Sequence, residues 1–471
     1  MKAFSKFFIF LFLFSSLYAQ NVKLPAIIGD NMVLQQNSSV PIWGKAKPGS
    51  VISISASWGK DVSATTKDDS TWKINIETPP AGGPFQMKIN SGKDSLLINN
   101  VLIGEVWFCS GQSNMEMPMI GFLPKDPLQN SKEEIANAVY PLIRLFHVKK
   151  NASYVPLDYC GGEWLPCDTS SVKEFSATAY FFGQKLFNEL NIPIGLIHAS
   201  WGGTPAEAWT NKKYLSQFTE FTDSLILKEI QENIDTKKVK FYRTPEKLYN
   251  AMVAPLIPFT IKGVIWYQGE SNTPNPFLYE KLFPAMIKNW REDWGYDFPF
   301  YYVQIAPYRH GSPIGSQYLR DAQRKTLSLP NTGMAVTLDI GDSLTVHPAN
   351  KKSVGERLAF LALAKLYYKN IPFSGPLYKS HAIKGKEIEL QFDYIGKGLK
   401  LLNNEKTNFE IAGSDRVFVP AEVKIVGDKL FVWSDEIKEP QAVRYAWSSL
   451  VVPTLFNKEG LPASSFRTDE W

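Results

Sequence analysis

The stretch Val106-Trp107-Phe108-Cys109-Ser110-Gly111-Gln112-Ser113-Asn114-Met115 joins an apolar run to a turn that carries a serine. The run from 101 to 108 has the length and the residue types of a buried strand. The small residues Ser110 and Gly111 permit a tight turn directly after it. A serine on such a turn can present its hydroxyl at the rim of a sheet, which makes Ser113 a candidate nucleophile. An ordinary loop rich in Ser and Asn is the alternative that this stretch alone leaves open.

Around this stretch, apolar strands alternate with helical patterns. Further strands are predicted at 143–148, 194–199, 264–267, 300–305 and 334–338. Amphipathic helices are predicted at 176–191 and around 354–361, and the segment 212–255 reads as a helical excursion. Strands that alternate with helices indicate a parallel sheet covered on both faces. Ligands of such sheets bind beyond the carboxyl ends of the strands, and Ser113 follows one such end.

The two ends of the chain have the sequence pattern of β-strands without intervening helices. Apolar and polar residues alternate with period two between about 20 and 100, for example in Trp72–Ile76, and β-patterns return after about 376. The predicted organisation is therefore a signal peptide at 1–19, a β-sandwich-like domain at 20–100, an α/β domain at 101–375 and a β-rich domain at 376–471.

The N-terminus and the composition indicate the compartment and exclude some partners. Lys2 and Lys6 precede an apolar run that ends before Ala19, which is the pattern of a cleaved signal peptide and predicts a secreted or periplasmic protein. No later run reaches the roughly 20 apolar residues of a transmembrane helix, so no membrane insertion is expected. The 51 basic residues nearly balance the 46 acidic ones without forming a basic stripe, which disfavours nucleic acid as a partner. In an oxidising compartment, Cys160 and Cys167 are expected to form a disulfide, whereas Cys109 is expected to be a buried filler.

Acyl transfer needs a nucleophile, a base, a group that orients the base and donors for an oxyanion. Ser113 lacks the second glycine of a G-x-S-x-G elbow, which disfavours an ordinary α/β-hydrolase. Gly202 and Gly203 precede a predicted helix whose first residues, Thr204 to Glu207, have the pattern of a capping box. Exposed backbone N–H groups at these glycines, together with the N–H of Ser113, are candidate oxyanion donors.

The remaining candidates follow the next strand ends. A side-chain amide from Gln268, or else from Asn272, is expected to complete the oxyanion hole, while Glu270 is open as a cap, a substrate contact or an orienting acid. His347 is the preferred base, because it alone among five histidines follows a strand end with aspartates just before it. Gln112, Glu270 and Asn272 are assigned to substrate binding. No residues show metal-ligand spacing, so neither a metal nor a cofactor is expected.

Several blocks of the sequence together resemble the sialate O-acetylesterase family, which belongs to the SGNH/GDSL-type hydrolases. The blocks are Gly111–Met115, Trp201–Thr204, Trp266–Asn272, Asp339–Asp342 with His347-Pro348, Leu248–Met252, Val443–Trp447 and Gly460–Pro462. The resemblance implies a three-layer α/β/α, flavodoxin-like hydrolase domain with β-rich flanks, and removal of O-acetyl groups from sugars. It also implies Ser113 as nucleophile and His347 as base.

The sequence departs from this pattern at the orienting acid. Relatives often carry an aspartate two residues before the histidine, and many SGNH enzymes carry one three residues before it; here these positions hold Thr345 and Leu344. The acid is then Asp342, Asp339 or Glu270, or the site is a Ser–His pair. Asp342 is the residue that we predict.

The sequence thus predicts a serine esterase that acts on an acetylated sugar or glycan. Two alternatives stay open at this point. One is an esterase for acetylated xylan or another polysaccharide, because the acyl machinery does not depend on the alcohol. The other is a carbohydrate-binding protein that is catalytically silent.

Overall fold

The computed structural model describes residues 22–235, 238–309, 314–402 and 407–471. The predicted signal peptide, 1–19, lies outside these residues. Within them, no helix combines the length and the apolar character that crossing a bilayer requires. The described chain is a mixed α/β structure with one large central sheet and β-rich regions on both sides of it in sequence.

The N-terminal region is built from strands, as predicted from its period-two pattern. They are β1 (Val33–Gln35), β2 (Ser39–Lys45), β3 (Val51–Ala56), β4 (Val62–Thr65), β5 (Thr71–Glu77), β6 (Gly82–Ser91) and β7 (Asp94–Gly111). β2 and β5 form one antiparallel pair, and β3 lies between β4 and β6 in another antiparallel group.

Strand β7 links this region to the central sheet. It runs for 18 residues; its first half pairs with β6, and its second half lies between β10 and β11. The boundary predicted at residue 100 therefore falls inside one continuous strand. The second half is a central strand of a parallel sheet, and its side chains are buried on both faces of that sheet, which explains its unbroken apolar run.

The central region alternates strands and helices. Its elements are α1 (Ser113–Glu116), α2 (Ser131–Ala136), β8 (Tyr140–His147), β9 (Trp164–Cys167), α3 (Ala177–Leu190), β10 (Ile194–Ser200), α4 (Lys212–Leu215), α5 (Thr219–Thr222), α6 (Ser224–Asp235), β11 (Gly263–Tyr267), α7 (Pro276–Trp294), β12 (Phe300–Val303), α8 (Ser316–Lys325), β13 (Thr332–Ala335) and α9 (Lys351–Lys365). The sheet order is β13-β12-β11-β7-β10-β8-β9. All neighbours are parallel except β9, which pairs antiparallel with β8.

Alternate residues of the central strands enter two separate cores. Trp107 and Ile265 pack in one core with α3 and α9, whereas Phe108 and Trp266 pack in the other core with α7. Because successive side chains of a strand point to opposite faces, this division shows that both faces of the sheet are covered. The prediction of a parallel sheet buried on both faces is thus confirmed, with one antiparallel strand at its edge.

The cysteine prediction was wrong in part. Cys109, Cys160 and Cys167 are all free thiols. Cys167 ends β9 and packs in the core of α3 and α9, whereas Cys160 packs against the core on the other side of the sheet, so the predicted disulfide does not form. Cys109 is fully buried, as expected of a filler.

The C-terminal region is β-rich, as predicted. Its strands are β14 (Leu377–Lys384), β15 (Glu387–Asp393), β16 (Leu399–Leu401), β17 (Phe409–Ala412), β18 (Phe418–Pro420), β19 (Glu422–Val426), β20 (Lys429–Trp433), β21 (Ala442–Tyr445), β22 (Leu455–Asn457) and β23 (Phe466–Arg467). Buried polar groups join it to the central region. Gln304 donates to Ser464 at 2.8 Å, and the fully buried Arg320 of α8 donates to Ser465 at 3.2 Å.

Candidate active site

The turn after β7 places Ser113 at the carboxyl edge of the parallel sheet. Gly111 has φ +147°, and a Cβ at this position would collide with the carbonyl oxygen of Tyr267 on β11. The N–H of Gln112 donates to the same carbonyl at 3.0 Å, which fixes the turn. Ser113 begins α1 and is half-buried. A glycine is therefore required before the serine, because β7 and β11 approach too closely for a side chain.

The long segment between β13 and α9 brings His347 to this serine. Nε2 of His347 lies 2.9 Å from Oγ of Ser113, across 234 positions of sequence. Nδ1 of His347 lies 2.8 Å from a carboxylate oxygen of Asp126. The ring of Phe122 meets the imidazole edge to face, with 5.2 Å between ring centroids. Ser113, His347 and Asp126 thus form a continuous hydrogen-bonded chain.

Thr345 lies two residues before His347, at the position where relatives often carry an aspartate. Here the threonine binds Asp126, which is the acid that contacts the imidazole instead. Its hydroxyl donates to the second carboxylate oxygen of Asp126 at 2.6 Å. The same hydroxyl accepts the backbone N–H of His347 at 3.0 Å. Asp126 is 4% exposed. The carboxylate therefore reaches the imidazole from another loop, and the threonine fixes it there.

The structure overturns Asp342 as the acid that orients His347. The Asp342 carboxylate accepts the backbone N–H of Leu344 at 2.7 Å within its own turn. The two alternatives also have other partners: Asp339 forms an ion pair with Arg357 at 2.6 Å, and Glu270 accepts from Asn114 at 2.6 Å. Asp126 occupies the position instead.

Sequence reasoning missed Asp126 because its neighbours in the sequence mark it only weakly. It lies in the segment Pro124-Lys125-Asp126-Pro127, which has the composition of any surface turn. Its hydrogen-bonded partner is 221 positions away in sequence. The one local signal was an aspartate between two prolines, 13 positions after the serine in the loop that follows the same strand end.

The environment of the His347–Asp126 pair favours a neutral imidazole and an ionised carboxylate. Burial lowers the pKa of His347 below its usual value of 6.5; the positive charge of Lys351 acts in the same direction, and the hydrogen bond to Asp126 opposes both. Burial alone would raise the pKa of Asp126, but the hydrogen bonds from Thr345 and His347 outweigh it, and the net shift is downward. At neutral pH the imidazole can therefore accept a proton from Ser113.

We expect the acid limb of the pH–rate profile to lie below pH 6.5. A general base must be deprotonated in the free enzyme, so kcat/KM falls as pH drops through the pKa of His347. Since that pKa is lowered, more than half of the plateau value of kcat/KM should persist at pH 6.5, and the midpoint of the decline should lie below it. The measurement is kcat/KM for p-nitrophenyl acetate between pH 4.5 and 8. A limb centred above pH 6.5 would contradict this description of the imidazole.

The structure does not support Gln268 as an oxyanion donor. Its side chain is fully buried, and its amide nitrogen donates to the carbonyl of Thr204 at 3.2 Å and to Oδ1 of Asn272 at 2.7 Å. Both of its N–H groups are thus used within the protein. Asn272 was the alternative, but its amide nitrogen donates to Glu207 at 2.9 Å and its oxygen accepts the N–H of Ala206 at 2.9 Å. These two amides connect neighbouring strand ends.

The glycine turn after β10 lies directly against the serine. A Cβ on Gly202 would be 3.3 Å from Cβ of Ser113. The N–H of Gly202 is not free, because it donates to the carboxylate of Glu116, which also forms an ion pair with Lys150. The N–H of Gly203 donates to no other residue in the described part of the chain. Ser113 N–H, at the first position of α1, has no carbonyl of a preceding helical turn to bind. Ser113 and Gly203 are therefore the open backbone donors here, and Gly202 becomes one only if Glu116 moves.

The local structure after these glycines differs from the prediction. No regular α-helix starts at Thr204; a short 3₁₀ turn, Ala206–Trp209, follows Pro205. The Thr204 hydroxyl donates to the carbonyl of Trp201 at 2.6 Å, and Glu207 binds Asn272, so the capping box does not form. Both side chains that a capping box would use are therefore bound to other groups, Thr204 to a nearby carbonyl and Glu207 to a residue from the next strand end.

The predicted substrate-binding residues serve largely as internal connections. Oε1 of Gln112 accepts the N–H of Gly269 at 3.4 Å and of Ser271 at 3.2 Å, which ties the serine turn to the next strand end. The side-chain amide of Asn272 is bound to Glu207, Ala206 and Gln268, as described above. Glu270 is half-buried and accepts a hydrogen bond from Asn114, and its second carboxylate oxygen is buried with no hydrogen-bond partner among the described residues. The side chains at the open rim are instead Lys150 and Trp201, whose indole stacks on Tyr242 with 4.2 Å between centroids.

Within the described residues, no three His, Cys, Asp or Glu side chains converge as a set that could hold a metal ion. The carboxylates at the site have other partners: Asp126 binds His347, Glu116 binds Lys150 and Glu270 binds Asn114. A serine hydroxyl, a neutral imidazole and an ionised carboxylate in this order can perform acyl transfer.

Comparisons with known proteins find carbohydrate esterases. Residues 103–364 match the family model described as carbohydrate esterase, sialic acid-specific acetylesterase. Sialate O-acetylesterase of Mus musculus is 30% identical over 91% of this chain and 90% of its own length, and that of Homo sapiens is 30% identical over 91% and 88%. Among solved structures, a carbohydrate acetylesterase from Xanthomonas citri matches with a TM-score of 0.86 and 35% identity, over 96% of this chain and all of that one.

Proposed function

Because this chain belongs to the carbohydrate esterase family of sialic acid-specific acetylesterases, we propose that it is a carbohydrate O-acetylesterase that works through a serine acyl-enzyme. The observation that carries the proposal is the chain of contacts from Ser113 Oγ through His347 to Asp126, at 2.9 and 2.8 Å. A protein that only bound carbohydrate would have no need of a neutral imidazole held between a hydroxyl and a carboxylate. These contacts therefore disfavour the silent binding protein.

We further propose that the central region has the three-layer α/β/α arrangement of SGNH hydrolases. The support is the parallel order of β13 to β8 and the two cores, one with α3 and α9 and the other with α7. Ser113 follows the central strand, and His347 arrives from the segment after the last parallel strand. This is the placement expected for a site at the carboxyl edge of an α/β sheet.

In the proposed acylation, Nε2 of His347 removes the proton of Ser113 as Oγ attacks the acetyl carbonyl carbon. The carbonyl oxygen becomes an oxyanion, which accepts hydrogen bonds from Ser113 N–H and Gly203 N–H. Gly202 N–H joins them when the Glu116 carboxylate leaves it. Collapse of the intermediate breaks the bond to the sugar oxygen, and His347 returns its proton to that oxygen. The products are the free sugar hydroxyl and acetyl-Ser113.

Deacylation follows the same path with water in place of the sugar. His347 removes a proton from water as its oxygen attacks the acetyl-serine, and the second tetrahedral intermediate releases acetate when His347 protonates Ser113 Oγ. Asp126 stays ionised throughout; it accepts from Nδ1–H and so keeps Nε2 free to accept. Ser113 and His347 are then the catalytic residues, and Asp126 is a positioning residue.

An acetylated sialic acid is the substrate that we propose first, because curated relatives over nine-tenths of this chain are sialate O-acetylesterases. An acetylated polysaccharide such as xylan is the second candidate, since the relative from Xanthomonas citri is described only as a carbohydrate acetylesterase. We also propose that the protein acts outside the cytoplasm; this rests on the sequence of residues 1–19, which lie outside the described chain.

We expect the purified protein to release acetate from O-acetylated sialic acid faster than from acetylated xylan, and to lose activity with a serine-directed organophosphate. Acetate is measured by a coupled assay at equal concentrations of ester, with p-nitrophenyl acetate as a control for active enzyme. Faster release from xylan would move the substrate to the second candidate. Turnover of p-nitrophenyl acetate without acetate release from either substrate would reject both proposed substrates but leave the proposal of an esterase standing. No turnover of any ester would favour a carbohydrate-binding protein without catalytic activity.

A further inference from the structure

A buried amide and a buried ammonium connect the loops that carry Ser113 and His347. Asn114 directly follows the serine, and Lys351 lies four positions after the histidine, at the start of α9. Both side chains are fully buried. Neither takes part in the acyl-transfer steps described above, so their place beside the reacting groups calls for another explanation.

Their hydrogen bonds hold the backbone on both sides of His347. The amide nitrogen of Asn114 donates to the carbonyl of Val346 at 2.9 Å, and its oxygen accepts from Nζ of Lys351 at 2.7 Å. Nζ of Lys351 also donates to the carbonyl of Pro348 at 2.8 Å. Val346 and Pro348 flank the histidine. Of the two carbonyls that flank His347, one is thus bound by Asn114, the residue next to Ser113. The other is bound by Lys351, which is itself hydrogen-bonded to Asn114.

Glu270 fixes the orientation of the amide in this cluster. Its Oε1 accepts the second N–H of Asn114 at 2.6 Å, so the amide nitrogen faces a carboxylate and the amide oxygen faces an ammonium. If the amide were turned round, its nitrogen would face the ammonium of Lys351, donor against donor, and its oxygen would face the carboxylate of Glu270, acceptor against acceptor. Burying an ammonium costs free energy that an apolar side chain of similar volume would not, so packing alone does not account for Lys351.

We propose that Lys351 is a positioning residue for the esterase reaction: through Asn114 and the carbonyls beside His347 it holds the imidazole at bonding distance from Ser113. This inference rests on the proposed function. It adds to the Ser–His–Asp chain a second, buried group of residues that sets the distance and the proton affinity of the base.

The charges around the two groups give the sign of the expected effect. Asp126, Lys351 and Lys125 act on His347: the first favours its charged form and the two lysines disfavour it. Burial lowers the pKa of Lys351 to about 7, while Glu270 and Asp126 oppose this. Below pH 6.5, where His347 titrates, Lys351 therefore carries its charge. Its removal should raise the pKa of His347.

The test compares two variants, Lys351→Met and Lys352→Met. For each variant, kcat, KM and the pH profile are measured with p-nitrophenyl acetate as the substrate. Lys352 is the next residue of the same helix, has a side chain that is 48% exposed and pairs with Glu134 on the surface. For Lys351→Met we expect kcat to fall about 10²-fold, because a displacement of about 1 Å at a reacting group has that effect, with little change in KM. The acid limb should move to higher pH. Lys352→Met should match the unchanged protein in both respects.

Two results would overturn the proposal in a Lys351→Met protein that keeps its circular dichroism spectrum. One is a kcat close to that of Lys352→Met; the other is a lower kcat with an unmoved acid limb, which would mean that Lys351 only supports the fold. If Lys351→Met does not fold, Lys351→Gln keeps a donor but not the charge, and its limb must still move upward for the proposal to stand. Because p-nitrophenyl acetate reports esterase activity independently of the sugar, failure on glycans would reject the proposed substrate and not this inference.

Discussion

Replacing Ser113 by alanine is expected to lower kcat for acetate release by about 10⁵- to 10⁶-fold, the loss that follows removal of the nucleophile from a serine hydrolase. The half-buried hydroxyl lies 2.9 Å from a neutral imidazole that can take its proton. Alanine keeps the backbone donor of residue 113, so some stabilisation of the oxyanion and binding of the substrate remain. KM should therefore change far less than kcat. The measurement is steady-state acetate release, with labelling by a fluorophosphonate probe as an independent readout.

Ser200→Ala is the matched control, because Ser200 forms the other short serine–histidine contact near this edge of the sheet. Its hydroxyl lies 2.6 Å from Nε2 of His198. Both side chains are buried, at 2% and 0% exposure, and burial lowers the pKa of His198 well below its usual value. Nδ1 of His198 has no hydrogen-bond partner among the described residues, so no acid orients this ring. Ser200→Ala should keep most of the activity and the labelling. Loss with Ser200→Ala and retention with Ser113→Ala would place the nucleophile elsewhere.

The central fold could be predicted where a strand or helix has a strong apolar pattern. The runs at β7, β10 and β11 are buried on both faces, and α3 and α9 have apolar stripes, so these elements stand out in the sequence. Helix α8 was missed because its buried face is polar: it includes Arg320, Asp321 and Gln323, whose partners are distant in sequence. Strand order depends on which strands pack beside β7, and hydrophobic periodicity contains no such information.

The candidate site could be predicted where a residue acts from a strand end, and not where it depends on a partner from a distant loop. Ser113 and His347 follow strands, and the structure brings these two residues together. Asp126 comes from a turn with no periodicity, so the acid was sought before His347 and assigned to Asp342. Gln268 lies at the expected edge, but its amide is consumed by Thr204 and Asn272. A sequence shows which polar groups are present, and the fold decides which of them remain free.

Asp126→Asn is expected to lower kcat by about 10³- to 10⁴-fold, similar to the loss of the orienting aspartate in other serine hydrolases. An asparagine of the same shape would face Nδ1 of His347 with either its N–H₂ or its oxygen. Because the hydroxyl of Thr345 donates to one carboxylate oxygen, the asparagine oxygen is held at Thr345 and the amide nitrogen faces the imidazole. Nδ1 must then accept, and the imidazole proton moves to Nε2. His347 would meet Ser113 as a donor and could not act as its base.

The pH profile separates this orienting role of Asp126 from a role in folding. The hydrogen bond to Asp126 raises the pKa of His347, so its loss should move the acid limb to lower pH, opposite in sign to the shift expected for Lys351→Met. Asp342→Asn is the matched control, because Asp342 only caps its own turn through the N–H of Leu344 and should keep near-full activity. If kcat fell sharply in Asp342→Asn and stayed unchanged in Asp126→Asn, the orienting acid would be Asp342, as predicted from the sequence. A loss in Asp126→Asn with the limb unmoved would mean that the carboxylate supports the loop without acting on the imidazole.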